Sequence, residues 1–202
     1  VPLTLARMPR SAAFGVFEVG MNHSGEITPL VGMVRPHVAI ITTIAASHLG
    51  NFASLDEIAD AKAEIFTGIV AGGSAVISRD TPYFERLAAA AWAAGVRSVV
   101  SFGKHPEADV RMERVALLPD CCCVTADVMG ETVSYRLGLP GEHMALNSLA
   151  VLATAKLTGA DLARAALALA NAAPAKGRGV RQRLSVAGGE LLLIDESYNA
   201  NP

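Results

Sequence analysis

The lysine at position 62 occupies an unusual place in a predicted amphipathic helix. The apolar face of the segment 54–69 consists of residues at helical spacing: Ile58, Ala61, Ile65, Phe66 and Ile69. At about 100° per residue, Lys62 falls in the middle of this face and not on its polar side. Such a lysine either extends its stem until the ammonium reaches water or is buried for a chemical purpose, since desolvation favours the neutral, nucleophilic amine. Spacing alone leaves both interpretations open.

Glu18 and His48 each stand near the end of a predicted strand, where open α/β sheets bind ligands. Glu18 is a carboxylate among the apolar residues of a strand over 13–19, and His48 follows a strand over 38–44. Together with Lys62, this carboxylate and imidazole could hold a divalent metal. Alternatively, His48 caps a loop and Glu18 meets solvent at a strand edge. Spacing does not decide between the two interpretations.

These residues lie in a chain that alternates short apolar, β-branched runs with alanine-rich stretches of helical spacing. Strands are predicted over 13–19, 38–44, 74–77 and 98–102. Helices are predicted over 54–69 and 82–94. Ser54 and Glu57 form a capping box at the start of the first helix, and Gly95 follows the second. This alternation predicts an α/β fold with a doubly wound, mostly parallel sheet that is covered on both faces.

The middle of the chain follows another pattern. Strands over 122–126 and 132–137 flank the turn residues Met129-Gly130-Glu131 and predict a small antiparallel hairpin. Helices over 145–157 and 160–171 follow it.

The end of the chain predicts the start of a second domain. Residues 174–181 are basic and rich in Gly and Pro, which is typical of a linker, and a strand over 190–195 begins after them. We therefore expect a first domain over 1–184 and the beginning of a second over 185–202.

Composition excludes several classes of protein. With 51% hydrophobic residues over 202 positions, the chain can bury a full core, which excludes a disordered or fibrous protein. Its 17 basic and 19 acidic residues give a net charge of −2, so electrostatics offers no case for binding nucleic acid or a membrane surface. No apolar run reaches the roughly 18 residues of a membrane span. The cysteines 121–123 are consecutive, which fits neither a disulfide framework nor a zinc site and favours ordinary strand residues in a reducing compartment.

Three motifs, in order and with coherent spacing, carry a resemblance to a known family. They are Glu18-Val-Gly-Met-Asn22-His-Ser-Gly25-Glu26-Ile27, Ile41-Thr-Thr43 leading to His48-Leu49, and Ala61-Lys62-Ala-Glu64-Ile-Phe66. Together they resemble the central, ATP-binding domain of the Mur ligases. The ending Asp195-Glu-Ser-Tyr198-Asn-Ala-Asn-Pro202, with Val1-Pro-Leu-Thr-Leu5, is similar to the branch of that family that joins D-alanyl-D-alanine to UDP-N-acetylmuramoyl-tripeptide.

The resemblance implies a cytoplasmic, ATP-dependent ligase of peptidoglycan synthesis. In this family ATP phosphorylates the carboxylate of the precursor, and the incoming amine attacks the acyl phosphate to leave an amide, ADP and phosphate. Magnesium ions and cationic side chains neutralise the crowded phosphate charge. By resemblance, Glu18 binds the magnesium shared with the ATP phosphates, His48 binds a second magnesium near the acyl phosphate, and a carbamylated Lys62 places that second ion. A carbamate explains the position of Lys62 better than an extended stem does.

The resemblance also implies contacts with the nucleotide, for which five residues are candidates. Asn147, with His143, matches the segment that contacts adenine, although His143 is not followed by the asparagine that is usual in the family. By position alone, Asn147 would instead cap a helix N-terminus. An arginine near the phosphates corresponds to Arg178 or Arg181, and Asp195 lies near the ribose.

The sequence contains no G-x-x-x-x-G-K-[ST] phosphate loop. We therefore expect a piece of a longer, monomeric enzyme that has no ligase activity by itself. The alternatives are another ligase of the superfamily, such as the diamino-acid-adding ligase or a folylpolyglutamate synthase, and a non-catalytic ligase-like binding module. The ending at 197–201 argues against the two other ligases, and a G-K-[ST] loop encoded upstream of Val1 would separate an enzyme from a binding module.

Overall fold

A six-stranded sheet forms the centre of the computed structural model, which describes residues 1–46 and 50–198. The strands follow one another across the sheet in chain order: β1 (Val38–Ile41), β2 (Ser74–Ser78), β3 (Ser98–Gly103), β4 (Val110–Leu117), β5 (Cys122–Val128) and β6 (Glu131–Leu137). The pairs from β1 to β4 are parallel, whereas β4, β5 and β6 pair in an antiparallel manner. The predicted α/β fold, with a mostly parallel sheet and a smaller antiparallel section, is confirmed.

Helices cover both faces of this sheet. They are α1 (Pro2–Arg7), α2 (Ile27–Val34), α3 (Leu55–Ala63), α4 (Phe84–Ala93), α5 (Glu142–Leu157) and α6 (Leu162–Leu169), with a 3₁₀ turn over Glu64–Gly68 after α3. Neighbouring strand residues face opposite sides of a sheet. Ile77 of β2 therefore packs towards α3 and α4, and Val76 packs with Leu149 of α5 on the other face. Within the described ranges, no helix is long and apolar enough to cross a membrane.

The prediction of a strand over residues 13–19 is wrong. These residues form no strand, and the side chains of Phe14 and Val16 are 64% and 92% exposed. A strand needs a neighbouring backbone that supplies its hydrogen bonds. In the part of the chain that the structure describes, β1 is the edge of the sheet and nothing pairs with its outer side. The apolar pattern is present, but this segment does not pair with the free edge of β1.

The last described residues form a separate hairpin. Strands β7 (Val180–Val186) and β8 (Gly189–Asp195) make a two-stranded antiparallel sheet. The linker predicted over 174–181 overlaps this hairpin by two residues, because β7 begins at Val180. The domain boundary predicted after residue 184 falls inside β7, and the division into two domains stays a prediction.

Candidate active site

A small apolar cluster joins three segments that are distant in sequence. Its buried members are Met21, Ile27, Val31, Phe52, Ile58 and Ala61. Its partly buried members are Val19, Ile44, Leu55 and Ile65. Glu18, Thr43 and Lys62 each adjoin one of these residues in the chain. The cluster therefore gathers the segment that carries Glu18, the carboxyl end of β1 and the end of α3.

Lys62 lies half-buried in the last turn of α3. Its Nζ donates a hydrogen bond to the carbonyl oxygen of Thr43 at 3.1 Å, two residues beyond the end of β1. Burial lowers the pKa of Lys62, which increases the fraction of neutral amine at a given pH. The amine therefore lies at the carboxyl end of a parallel strand, the edge at which such sheets bind ligands.

Glu18 is exposed in an irregular segment and does not end a strand, contrary to the prediction. Among the described residues, its carboxylate has no hydrogen-bond or ion-pair partner, and no group of three or more His, Cys, Asp or Glu could hold a metal. Mg²⁺ usually binds through one or two carboxylates together with phosphate oxygens and water. A free carboxylate therefore fits a magnesium ion that is shared with phosphates, and does not fit a cage made of protein alone.

His48 lies outside the described residues, and its predicted roles as a metal ligand and a catalytic residue stay predictions. The segments on both sides of residues 47–49 pack on the apolar cluster. Ile44 packs on the cluster before these residues, and Phe52 is buried in the cluster after them. Both belong to the cluster that includes Ala61, the neighbour of Lys62.

A carboxylate that the sequence analysis did not single out closes the turn after Glu18. Glu26 accepts a hydrogen bond from the backbone N–H of Asn22 at 2.7 Å, and its other oxygen lies 3.1 Å from Nδ1 of His23. The bond from Asn22 is the main reason why the pKa of Glu26 is lowered, and the contact with His23 adds to it. His23 is exposed in this turn.

A second carboxylate, that of Glu64 in the 3₁₀ turn after α3, accepts hydrogen bonds from the same region of the chain. It accepts the backbone N–H of Gly25 at 2.5 Å, and the backbone N–H and the hydroxyl of Thr28 at 3.1 Å and 3.0 Å. Gly25 has a φ of +89°, a conformation that favours glycine. Glu64 follows Lys62 by two residues, so it connects the turn with the end of α3. Its partners lie 36 and 39 residues away, and no local spacing could have revealed them.

His143 and Asn147 are exposed on the first two turns of α5. Gly141, with a φ of +103°, is the N-cap of this helix, so the alternative that Asn147 caps it is wrong. Glu142, in the first turn, forms an ion pair with Lys104 at 3.0 Å. The predicted adenine contacts of His143 and Asn147 stay predictions.

Arg178 and Arg181 contact different parts of the protein. The guanidinium of Arg178 lies over the ring of Tyr198, 4.8 Å from its centroid. Arg181, on β7, donates a hydrogen bond to the carbonyl oxygen of Pro119 in the β4–β5 connection. The choice between them as the arginine near the phosphates stays open.

Asp195 ends β8 and is half-buried. Its backbone oxygen accepts the N–H of Gly179 at 2.9 Å, and its Oδ1 accepts the N–H of Ser197 at 3.1 Å. Hydrogen bonds from Ser197, the side-chain one first, lower the pKa of Asp195. The structure thus gathers the segments of Glu18 and Lys62 around one cluster, while the residues predicted to contact the nucleotide lie on α5, on the hairpin or, for Arg178, just before it.

Comparisons with known proteins agree with this architecture. The Mur ligase middle domain family matches residues 1–155. The UDP-N-acetylmuramoyl-tripeptide–D-alanyl-D-alanine ligase of Escherichia coli is 33% identical over 202 residues, which are 100% of this chain and 43% of that protein. The ligase of the same name from Rickettsia prowazekii is 29% identical over 200 residues, which are 99% of this chain and 44% of that protein.

A solved structure is similar over the same range. Crystal structure I of MurF from Acinetobacter baumannii has a TM-score of 0.89 and 32% identity, and the match covers 99% of this chain and 42% of that one. The chain therefore spans less than half the length of the curated relatives that it matches.

Proposed function

We propose, because this chain belongs to the Mur ligase middle domain family, that it is the ATP-binding part of a ligase that joins D-alanyl-D-alanine to UDP-N-acetylmuramoyl-tripeptide. The relatives from E. coli and R. prowazekii bear the name of that ligase and align with essentially the whole chain. This similarity favours the branch that adds D-alanyl-D-alanine over the other ligases of the superfamily and over a binding module. The enzyme acts in the cytoplasm as a monomer.

One observation carries the proposal: the amine of Lys62 lies at the carboxyl end of β1, beside the segment that carries Glu18. Bound ATP supplies the phosphoryl group that activates the precursor carboxylate, and bound Mg²⁺ neutralises phosphate charge. Glu18 offers an exposed carboxylate to the ion shared with the ATP phosphates. His48 would contribute an imidazole to a second ion, which would neutralise charge on the reacting carboxylate and its phosphate.

Lys62 acts as a carbamate in this proposal. The neutral amine bonds to the carbon of CO₂ and releases a proton to solvent, and the product is an anionic group at the former Nζ. Two features support it: burial lowers the pKa of Lys62, and the hydrogen bond to Thr43 holds Nζ at the strand end. The negative charge lets this side chain place the second magnesium ion, which a cationic ammonium would repel.

The remaining residues hold the nucleotide. Asn147 and His143 contact adenine, Asp195 lies near the ribose, and Arg178 or Arg181 meets the phosphates. The positions of these residues support the assignment in part. His143 and Asn147 lie at the start of α5, and the two arginines and Asp195 lie on the hairpin or next to it. The chain contains the ATP-binding domain and the beginning of the next one, and the boundary lies at the hairpin of β7 and β8.

Substitutions of Lys62 in the full-length ligase test the carbamate. Lys62→Ala should lower kcat by about 10²–10³-fold, as loss of a pre-organised electrostatic group does. Lys62→Arg should not restore the rate, because guanidinium is permanently cationic. Lys62→Glu should recover part of the rate, and acetate or formate should partly rescue Lys62→Ala by placing an anion in the vacated space. Turnover is measured as phosphate released and amide formed.

Lys104→Arg is the matched control, since Lys104 is an exposed lysine whose ion pair with Glu142 an arginine can also make. It should keep the wild-type rate. If Lys62→Arg turns over at a rate close to wild type, Lys62 is a structural lysine with an extended stem, and the carbamate is wrong. If the wild-type enzyme forms no amide from the tripeptide precursor, the proposed function itself fails.

A further inference from the structure

The N-terminus of α2 is capped by a residue from another element. Glu26 is the N-cap by position, yet its side chain makes no capping hydrogen bond. Glu64 supplies the acceptors instead. One of its carboxylate oxygens accepts from the backbone N–H of Gly25, and the other accepts from the backbone N–H and the hydroxyl of Thr28. A carboxylate at this end of a helix also interacts favourably with the helix dipole. The cap therefore depends on the fold and not on the local sequence.

Because of the position of Glu64, this cap connects the segment that follows Glu18 with the end of α3 that carries Lys62. Glu64 begins the 3₁₀ turn that continues α3, two residues after Lys62. Gly25 and Thr28 belong to the segment that follows Glu18. These three hydrogen bonds add to the packing of Ile27 and Val31 on the apolar cluster in fixing the turn against α3.

We propose that Glu64 is a positioning residue for the ligase reaction: its carboxylate holds the Gly25–Thr28 turn against the end of α3 and so fixes the separation between Glu18 and Lys62. The inference rests on the proposed function, because only then do Glu18 and Lys62 act on the same substrate phosphates. A displacement of about 1 Å in such an arrangement is enough to cost on the order of 10²-fold in rate.

Only a carboxylate satisfies all the donors in this place. An ionised Glu accepts at both oxygens and donates nothing, and its bonds to N–H groups are charge-assisted. In Glu64→Gln, one oxygen becomes an NH₂ group that faces either the N–H of Gly25 or the donors of Thr28. One donor then meets another donor, and the turn loosens while the size and shape of the side chain stay the same.

Four proteins test the proposal in the full-length ligase: wild type, Glu64→Gln, Thr28→Val and the control Asp80→Asn. Thr28→Val removes only the hydroxyl donor to Glu64. Asp80 is a matched control, because its carboxylate also accepts backbone N–H groups of a distant loop, those of Lys104 and His105. Amide hydrogen exchange, kcat, KM for D-alanyl-D-alanine and the magnesium dependence of the rate are measured well below each melting temperature.

Glu64→Gln should speed amide exchange at Gly25 and Thr28 about tenfold or more. It should lower kcat, and raise the magnesium concentration for half-maximal rate, by about 10- to 100-fold, as loss of a group that orients metal ligands does. KM for D-alanyl-D-alanine should change less than about twofold, since the proposal gives the turn no part in binding that substrate. Thr28→Val should shift the same quantities in the same direction, but less. Asp80→Asn should loosen its own loop and leave kcat and the magnesium dependence unchanged.

Three results would overturn the inference. Unchanged exchange at Gly25 and Thr28 in Glu64→Gln would mean that Glu64 does not hold the turn. Faster exchange with kcat and magnesium dependence within about twofold of wild type would mean that holding the turn has no part in the reaction. An equal loss of rate in Asp80→Asn would indicate general loosening. An inactive wild type would instead refute the proposed function, so the two failures are distinguishable.

Discussion

Among the described residues, the core beneath α5 contains eighteen buried apolar members, whereas the cluster around Lys62 contains six. The larger core includes Phe102, Leu149 and Leu152, each less than 2% exposed. The smaller cluster is supplemented by polar contacts, chiefly those of Glu26 and Glu64 with the turn before α2 and with the first turn of α2. Apolar packing thus holds one region, and carboxylates bonded to backbone amides hold much of the other.

This difference follows from what the two regions have to do. A carboxylate or ammonium that is buried without partners costs several kcal/mol, so a site that meets phosphates keeps its charged groups near water. Such a site cannot be enclosed by a large core. It has to be oriented by directional hydrogen bonds, which contribute less to stability than packing but fix the geometry. Stability and geometry should therefore respond to different substitutions.

The largest loss of stability is expected from the core beneath α5. Leu149→Ala removes a fully buried side chain and should lower the free energy of unfolding by about 2–5 kcal/mol, through lost transfer free energy and the cavity left behind. Denaturant unfolding of the chain followed by circular dichroism measures it. Val151→Ala, two residues along the same helix at a side chain that is 47% exposed, is the control and should cost about 0.5 kcal/mol or less. Similar losses in both variants would show that α5 is not packed as described.

A smaller loss is expected at the polar contact inside that core. The hydroxyl of Tyr135 lies 2.6 Å from Oγ of Ser148 in a buried pair. Tyr135→Phe should lower the free energy of unfolding by about 1 kcal/mol and no more, because Ser148 keeps its hydrogen bond to the carbonyl of Ala145. Tyr198→Phe, at an exposed tyrosine, should have no measurable effect.

Alkaline pH sharpens this test. Burial raises the pKa of Tyr135 from 10.0 to about 12. A pKa that is higher in the folded state gives stability that is complete below pH 10.0 and is lost as the pH rises towards about 12. The difference between wild type and Tyr135→Phe should therefore shrink over that interval. If the difference stays constant, the hydroxyl of Tyr135 is not buried in solution.

Much of the fold could be predicted from the sequence because local pattern and burial agree. All five residues of β2 are buried, and the apolar run at 75–77 within it is what a covered parallel sheet predicts. The N-cap half of the capping box was also correct, since Ser54 accepts the N–H of Glu57 at 3.2 Å, whereas the carboxylate of Glu57 accepts the N–H of Ala53 and not that of Ser54. Residues 13–19 show the limit: their pattern is that of a strand, but pairing depends on a neighbour that no local pattern contains.

The same limit applies to the site. Lys62 could be found because one charged residue on an apolar helix face is anomalous within a single turn. No role could be predicted for Glu64, because its hydrogen-bond partners are the amides of Gly25 and Thr28, which are far away in the chain. Sequence periodicity thus identifies residues that conflict with their own element, and misses those whose partners come from another element.

The smallest effect is expected at an exposed polar contact on the outside of α3. Arg86 of α4 donates to both carboxylate oxygens of Asp60 at 2.7 Å and to Asp56 at 2.9 Å, and all three side chains are substantially exposed. The hydrogen bond with Arg86 is the main reason why the pKa of Asp60 lies below 3.8. A lowered carboxyl pKa gives stability that is present at neutral pH and is lost as the pH falls through the folded-state value.

Asp60→Asn should therefore lower the melting temperature slightly at neutral pH and low salt, and the loss should vanish in about 1 M salt, because exposed ion pairs are screened. Calorimetry at both salt concentrations, and again at acidic pH, measures this. Asp60 lies two residues before Lys62 and Glu64 two residues after it, so the two substitutions form a matched pair. Asp60→Asn should leave kcat unchanged, whereas Glu64→Gln should lower it. An equal loss of kcat in both would mean that any polar contact of α3 supports the reaction. The distinction between the exposed contact of α3 with Arg86 and the end of α3 beside Lys62 would then be wrong.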